Sequence, residues 1–160
     1  MKPGVQDALD AVEMTYADLN EVANEMTANF FEPINKIIEE LRDVNELSND
    51  MVRDYMIRLA LNSYSLGEIK EKSALKAECA EALRKEQYAK SFREASGSAA
   101  IKENEALLGS NEQVIVEALY NLISSLFKTK LDEAHRVVAV LQSVLMSRNM
   151  EAKLTTNVID

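Results

Sequence analysis

The residue types that most often carry out chemistry are scarce in this sequence. It contains one histidine, His135, and one cysteine, Cys79. A lone cysteine excludes an internal disulfide and a zinc site built from several cysteines, and we expect Cys79 to be a small buried apolar residue. Asp132 and His135 are spaced like one half of a helical di-iron site, but that site needs a second histidine. The sequence therefore predicts no catalytic centre, no metal and no cofactor, and we expect a protein that is not an enzyme.

Cations and aromatic rings are mixed in the middle third of the chain. Residues 51–102 carry 10 basic and 7 acidic side chains, whereas residues 1–50 carry 3 and 12 and residues 103–160 carry 5 and 8. Cations neutralise phosphates and rings stack on unpaired bases, which is the combination that single-stranded DNA requires. The candidate DNA-binding residues are Arg84, Lys85, Tyr88, Lys90, Phe92 and Arg93. The competing interpretation is a solubilising helix face with both rings in the core.

The elements that position these residues are predicted to be helices. Only 4 of the 160 residues are Gly and 2 are Pro, too few for the turns of a sandwich or barrel, and strong helix formers abound. Ser48-Asn49-Asp50 predicts a helix start, and Ser96-Gly97-Ser98 predicts a helix end. A short helix over residues 99–108 and a capping box from Ser110 to Gln113 then lead into a long C-terminal helix.

The middle helix has two further features. Gly67 lies alone in a long helical stretch, which indicates a bend or a close helix crossing. Three pairs of opposite charges are spaced to attract each other along the helix, namely Glu68–Lys72, Glu81–Lys85 and Glu86–Lys90.

Apolar residues recur in steps of three and four through the first third of the chain. The series comprises Val5, Leu9, Val12, Tyr16, Leu19, Ala23, Met26 and Phe30, with Ile37 and Val44 in phase. A mean spacing of about 3.5 residues keeps one seam facing a partner helix, as in a coiled coil. The seam packs either on the chain's own fold or on another copy. Pro33 predicts either a kink or the first turn of a new helix.

The long C-terminal helix carries two further apolar seams. They comprise Val116, Leu119, Ile123 and Leu126, followed by Val137, Leu141 and Val144. Because a solitary helix of this length would leave its apolar stripe in water, we expect it to pack on the helices of residues 51–95, on another copy, or on both. These seven residues are the candidates for an oligomer interface. The predicted fold is all-α, with long helices forming an oligomeric bundle and a coiled-coil-like N-terminal region. Residues 1–47 would be an acidic helical region and residues 48–160 the helical core.

Two segments together resemble a known family. KEKSALKAECAEALRKEQYAKSFREASG (residues 70–97) and SNEQVIVEALYNLISSLFKTKLDEAHRVVAVLQSVLMSRN (residues 110–149) resemble the UvsY-like recombination mediators of phages. The shared layout is a basic helix ending in Ser-Gly, a short connector and a capped apolar helix. The resemblance implies an all-helical, ring-forming protein. Lys85, Lys90 and Arg93, with Arg84 adjacent, would contact DNA, and residues 114–146 would form the oligomer.

The resemblance also implies a function. Such a protein would bind single-stranded DNA and help load a RecA-type recombinase onto strands coated with single-strand-binding protein, without an enzymatic step. Its partners would be the DNA, those two proteins and further copies of itself. The alternative is a helical oligomeric structural or adaptor protein, such as a phage assembly component, without nucleic-acid binding. A weaker alternative is an acidic DNA mimic that acts through residues 1–50.

The sequence also bears on location. It has no run of 18 apolar residues, and its N-terminal MKPGVQDALD lacks the apolar core of a signal peptide. We therefore expect no membrane contact and a cytoplasmic location, which is the host cytoplasm if a phage encodes the protein.

Overall fold

Helices account for every element in the described part of the chain. The structure, a computed structural model, describes residues 3–41 and 44–156. The elements are α1 (Pro3–Glu40), a 3₁₀ turn (Val44–Glu46), α2 (Asn49–Glu94), α3 (Ala99–Gly109) and α4 (Asn111–Thr156). The prediction of an all-α chain is thus confirmed. The oligomeric bundle and the coiled coil stay predictions.

The predicted ends of the middle helix are confirmed. The Met51 N–H donates to Ser48 Oγ over 3.2 Å at the start of α2, which is the capping contact that a serine provides. After Glu94 the chain leaves the helix, and Gly97 adopts a φ of +118°. This left-handed backbone is unfavourable for residues with a Cβ. Gly97 therefore lets the chain reverse and begin α3 at Ala99.

The predicted capping box at Ser110 is wrong. Ser110 is the single residue between α3 and α4, and its hydroxyl donates to the Leu107 carbonyl over 3.2 Å. The amide Oε1 of Gln113 is buried without a hydrogen-bond partner. Because α3 ends one residue earlier, Ser110 pairs with a carbonyl that α3 leaves free instead of capping α4.

Pro33 lies inside α1, which continues to Glu40. The alternative of a new helix beginning at Pro33 is therefore wrong. Proline removes the helical donor of the carbonyl four residues earlier, that of Asn29. Because Pro33 and Asn29 are both exposed, water can pair with that carbonyl.

Contacts divide the chain into two units that differ from the predicted division at residue 47. The first unit combines Met1–Thr27 with Ile69–Leu126, and the second combines Ala28–Glu68 with Phe127–Asp160. Each unit therefore takes segments from α1, α2 and α4. Each predicted region is one continuous stretch of sequence, whereas each of these units combines two segments that are far apart in sequence but in contact.

The core of the second unit is built from large apolar side chains, with Ile34, Ile37, Val52, Leu59, Phe127 and Leu141 almost fully buried. The Phe127 ring lies 5.2 Å from that of Phe31. Further along, Lys130 Nζ donates to Asn35 Oδ1 over 2.8 Å. Residue numbers rise together in these two contacts, so α1 and α4 run parallel within this unit.

The core of the first unit is built mainly from small side chains. Its buried apolar residues are Ala23, Ala77, Ala80, Ala95, Ala106 and Ile123. Lys76 Nζ lies 5.2 Å from the Tyr120 ring, and Arg84 bonds to Glu117, so α2 and α4 run antiparallel here. Because alanines allow helices to approach without burying much area, many of the larger apolar side chains of this unit stay in contact with water.

The predicted N-terminal seam is buried only in part. Ala23 and Ile37 are buried, whereas Val12, Tyr16, Met26 and Phe30 are exposed. The side chains of Val5 and Leu9 lie outside the described part of the chain. The buried stripe of α1 comprises Ala23, Thr27, Ile34 and Ile37, and Leu41, directly after the helix, is buried as well. The exposed members of the seam are available to another chain, which leaves the self-association alternative open.

Replacing Gly67 with alanine is expected to stabilise the protein. Apart from its chain neighbours and the backbone of its own helix, no atom of the described residues lies within 4 Å of the position that a Cβ would take, so the prediction of a close helix crossing is wrong. Alanine in a helix interior is favoured over glycine by about 0.5–1 kcal/mol. Urea denaturation should therefore show a higher midpoint for Gly67→Ala.

Gly109→Ala serves as the matched control, because the Cβ of an alanine at this position would collide with Ser91 Oγ. This variant should have a lower midpoint. Equal midpoints for the two alanine variants would contradict the packing described for these glycines.

Candidate nucleic-acid interface

Three of the six predicted DNA-binding residues line one groove in the first unit. Arg84, Lys85 and Tyr88 of α2 form one wall of a cavity of about 510 Å³. The other wall comprises Leu107, Leu108, Ser110, Asn111 and Val114. We call these eight residues the basic groove. The groove forms because the chain turns at Gly97 before α3 and again at Ser110 before α4. The end of α3 and the beginning of α4 therefore lie beside α2.

Carboxylates outside the lining hold both cations of the basic groove. Arg84 Nε donates to Glu117 Oε2 over 2.7 Å, with both side chains half-buried. Lys85 Nζ donates to Glu81 Oε1 over 2.6 Å, and 65% of the Lys85 side chain is exposed. The hydrogen bond and charge of Lys85 hold the pKa of Glu81 below its usual value. The Glu117 pair fixes Arg84 in orientation, whereas Lys85 can exchange its carboxylate for an incoming phosphate.

Two aromatic rings extend the groove along α2. The Tyr88 and Phe92 rings are stacked, with centroids 6.4 Å apart and planes inclined by 20°. Tyr88 is half-buried and Phe92 is 38% exposed. Neither ring belongs to the buried core, so the interpretation that placed both in the core is wrong. Rings that remain accessible in this way can stack on unpaired bases.

Lys90 and Arg93 lie on a different side of α2. Successive residues of an α-helix are rotated by about 100°, so Arg84, Lys85, Tyr88 and Phe92 share a sector of about 100°. On the same count Arg93 is rotated by about 180° from Arg84 and Lys90 by about 240°. Arg93 Nε donates to the Ala89 carbonyl of its own helix. The structure therefore does not bring these two cations together with Arg84 and Lys85.

The second wall of the groove was missed by sequence reasoning. Leu107 is 57% and Leu108 is 77% exposed, although both are large apolar residues. Asn111 begins α4, whose first turn carries the positive end of the helix dipole. The short connector at Ser110 was the available signal, because it keeps the first turn of α4 next to the end of α3. Nothing local indicates which side of α2 that turn contacts.

The predicted oligomer-interface residues divide by burial. Ile123 and Leu141 are 3% and 1% exposed, so in this conformation they pack within their own units and offer no surface to another copy. Val116 is 43% exposed. The remaining four, Leu119, Leu126, Val137 and Val144, are half-buried. Of the predicted set, Val116 thus offers the most side-chain surface to a partner.

Cys79, predicted to be buried, is exposed. It lines a cavity between α2 and α4 within its unit, so full burial did not follow from its apolar character. Asp132 and His135 are exposed as well. Across residues 3–41 and 44–156, no three His, Cys, Asp or Glu side chains are grouped so that they could hold a metal ion.

The described helices contain no segment with the length and apolarity needed to cross a bilayer. The basic groove combines two cations and an accessible ring on a concave surface. Comparison of the chain with family models, curated proteins and solved structures gives no match.

Proposed function

We propose that this chain is a non-enzymatic recombination accessory protein that binds single-stranded DNA in the basic groove and assists a RecA-type recombinase. The observation that supports the proposal is the convergence of Arg84, Lys85 and Tyr88 on one groove whose lining contains no carboxylate. The resemblance to UvsY-like mediators is the basis for three further parts of the proposal. These are a recombinase partner, a single-strand-binding protein partner and a cytoplasmic location.

Each wall of the basic groove would contact a different part of the strand. Lys85 would exchange Glu81 for a phosphate, and Arg84, oriented by Glu117, would contact the next one. Tyr88 and Phe92 would each stack on a base, while Leu107 and Leu108 would contact the apolar faces of bases. The cavity of about 510 Å³ falls in the size range of sites for compact organic ligands, a class that includes a nucleotide.

The net charge of the chain shapes how binding occurs. A formal charge of −9 opposes the approach of a polyanion to a single copy. In an assembly, several basic grooves would contact one strand, and the second contact would form at a high effective concentration. Binding is therefore expected to be weak for one copy and strong for an assembly.

Substitution of Lys85 tests the proposal most directly. We expect Lys85→Gln to weaken binding of a fluorescent oligothymidylate and to reduce the slope of log affinity against log salt by about 0.7, because one phosphate contact is lost. Glu81→Gln should strengthen binding, because it frees Lys85. Fluorescence anisotropy over a salt series measures both effects.

Lys90→Gln is the matched control, since it makes the same change in charge on the same helix outside the groove. It should have a smaller effect on the affinity than Lys85→Gln. Equal losses from both variants, or no binding by the parent protein at low salt, would contradict binding in the basic groove.

A structural or adaptor protein without nucleic-acid binding is the second candidate. It is favoured by the number of large apolar side chains that water contacts, among them Met14 at 70% and Leu108 at 77% exposure. Surfaces of this kind mark contacts with other chains. An assembly of defined mass that binds no oligonucleotide at low salt would support this candidate over the first.

A further inference from the structure

One side of α2 in the first unit is exposed along four helical turns. It comprises Lys72, Leu75, Cys79, Leu83 and Glu86, which we call the Cys79 face. All five residues are exposed, with Leu75 at 59% and Leu83 at 58%. Their spacing of three and four residues keeps them within a sector of about 80°. The Cys79 face is therefore a continuous stripe with an apolar centre and one charge at each end.

The residues of the Cys79 face are symmetric about its centre. Leu75 and Leu83 each lie four positions from Cys79, and Lys72 and Glu86 each lie seven positions from it with opposite charges. The sequence continues the pattern, because Glu68 and Lys90 each lie eleven positions away, again with opposite charges. A helix with this pattern is complementary to an antiparallel copy of itself, which is what a two-fold axis generates.

The end charges of the Cys79 face have no ion-pair partner in the described part of the chain. Neither Lys72 nor Glu86 takes part in an ion pair among the residues that the structure describes. Of the three pairs predicted along this helix, the one formed in the described chain is Glu81–Lys85. Lys72 and Glu86 are thus available to the opposite charges of another copy.

A second cavity adjoins the Cys79 face and provides room for side chains of a partner. Its volume is about 410 Å³, and its lining includes Cys79 and Leu83 from α2 with Val116 and Tyr120 from α4. Val116 is 43% exposed. An incoming leucine would cover apolar surface on both helices.

Charge favours a second copy as the occupant. The Cys79 face is neutral, whereas residues 3–35 carry seven acidic and no basic side chains. Copies therefore repel one another less where their Cys79 faces meet than where residues 3–35 meet.

We propose that two copies of this chain pair through their Cys79 faces, with the two α2 helices antiparallel and a two-fold axis at Cys79. Leu75 then contacts Leu83 of the other copy, and Lys72 pairs with Glu86 of the other copy. The pairing does not depend on nucleic acid, so it can be tested without DNA.

A charge exchange tests the register of this pairing. Lys72→Glu places two carboxylates opposite each other at both ends of the interface, and Glu86→Lys places two ammonium groups there. Each single variant should dimerise about tenfold more weakly than the parent, since two exposed ion pairs are replaced by two contacts between like charges. The double variant Lys72→Glu/Glu86→Lys should recover the affinity of the parent. Sedimentation equilibrium in the absence of DNA measures all four proteins.

Leu83→Asp tests the apolar centre against a matched control. Leu61→Asp makes the same change on the same helix at a side chain that is 65% exposed but lies outside the Cys79 face. Leu83→Asp should give half the mass of the parent by light scattering, and Leu61→Asp should leave the mass unchanged. Far-ultraviolet circular dichroism checks that both variants keep the helical content of the parent.

Three results would overturn the pairing. They are a parent with the mass of one chain at every concentration, equal effects of Leu83→Asp and Leu61→Asp, and a double charge variant as weak as the single ones. A short bis-maleimide should join two parent chains through Cys79 at concentrations where the dimer forms. Absence of that product in a sample with dimer mass would exclude the proposed axis.

Discussion

Phe127→Ala is expected to destabilise the protein by about 3–5 kcal/mol, the usual cost of emptying a large buried aromatic site. The Phe127 side chain is 1% exposed. Its ring makes edge contacts with Phe30 at 5.8 Å and Phe31 at 5.2 Å, so the substitution removes an aromatic cluster as well as buried area. Since typical domains are stable by about 5–15 kcal/mol, urea denaturation should show a large fall in the midpoint.

Phe30→Ala is the control for this prediction. Phe30 is 45% exposed, so its removal deletes one ring contact without leaving an enclosed cavity. It should lower the free energy of unfolding by much less than Phe127→Ala. Similar losses from both variants would mean that Phe127 is not the centre of the core of the second unit.

Arg148→Met is expected to lower the free energy of unfolding by about 2–3 kcal/mol, because it removes charged hydrogen bonds from part-buried acceptors. The guanidinium donates to the carbonyls of Val44 and Leu47 over 2.9 and 2.8 Å, and to Asn49 Oδ1 over 3.1 Å. Val44 and Leu47 belong to the connection between α1 and α2, and Asn49 is the first residue of α2. Methionine keeps the aliphatic stem, so the loss reports on the hydrogen bonds. Denaturation measures the cost, and hydrogen exchange should accelerate near Val52.

Two further substitutions check the role of Arg148. Arg148→Lys should recover only part of the loss, because one ammonium group lacks the planar fork that reaches several acceptors. Arg53→Met removes an exposed arginine that pairs with Asp50 on the surface, and its effect should be within about 0.5 kcal/mol. If Arg148→Met were as mild as Arg53→Met, the connection between α1 and α2 would not depend on this side chain.

Local chemistry was sufficient to predict the helices and several of their ends. The scarcity of Gly and Pro left no alternative to helix, because the other fold classes need many turns. Ser48 and Gly97 indicated the ends of the middle helix correctly, since a cap and a left-handed glycine act on neighbouring residues. Arg84, Lys85 and Tyr88 line one groove, because Tyr88 follows the other two by four and three residues and so lies on the same side of the helix.

Tertiary structure alone decided which helix surfaces are buried and which residues share a groove. Helical periodicity predicts stripes, but a stripe is buried only where another helix lies against it. The N-terminal seam is therefore only partly buried and Cys79 is exposed, whereas Ala23, Ala77, Ala80, Ala95 and Ala106 of the first unit are buried. The second wall of the basic groove comes from α3 and α4 and depends on where Ser110 redirects the chain. Contacts between residues so far apart in sequence are set by the packing of whole helices, and no local pattern encodes them.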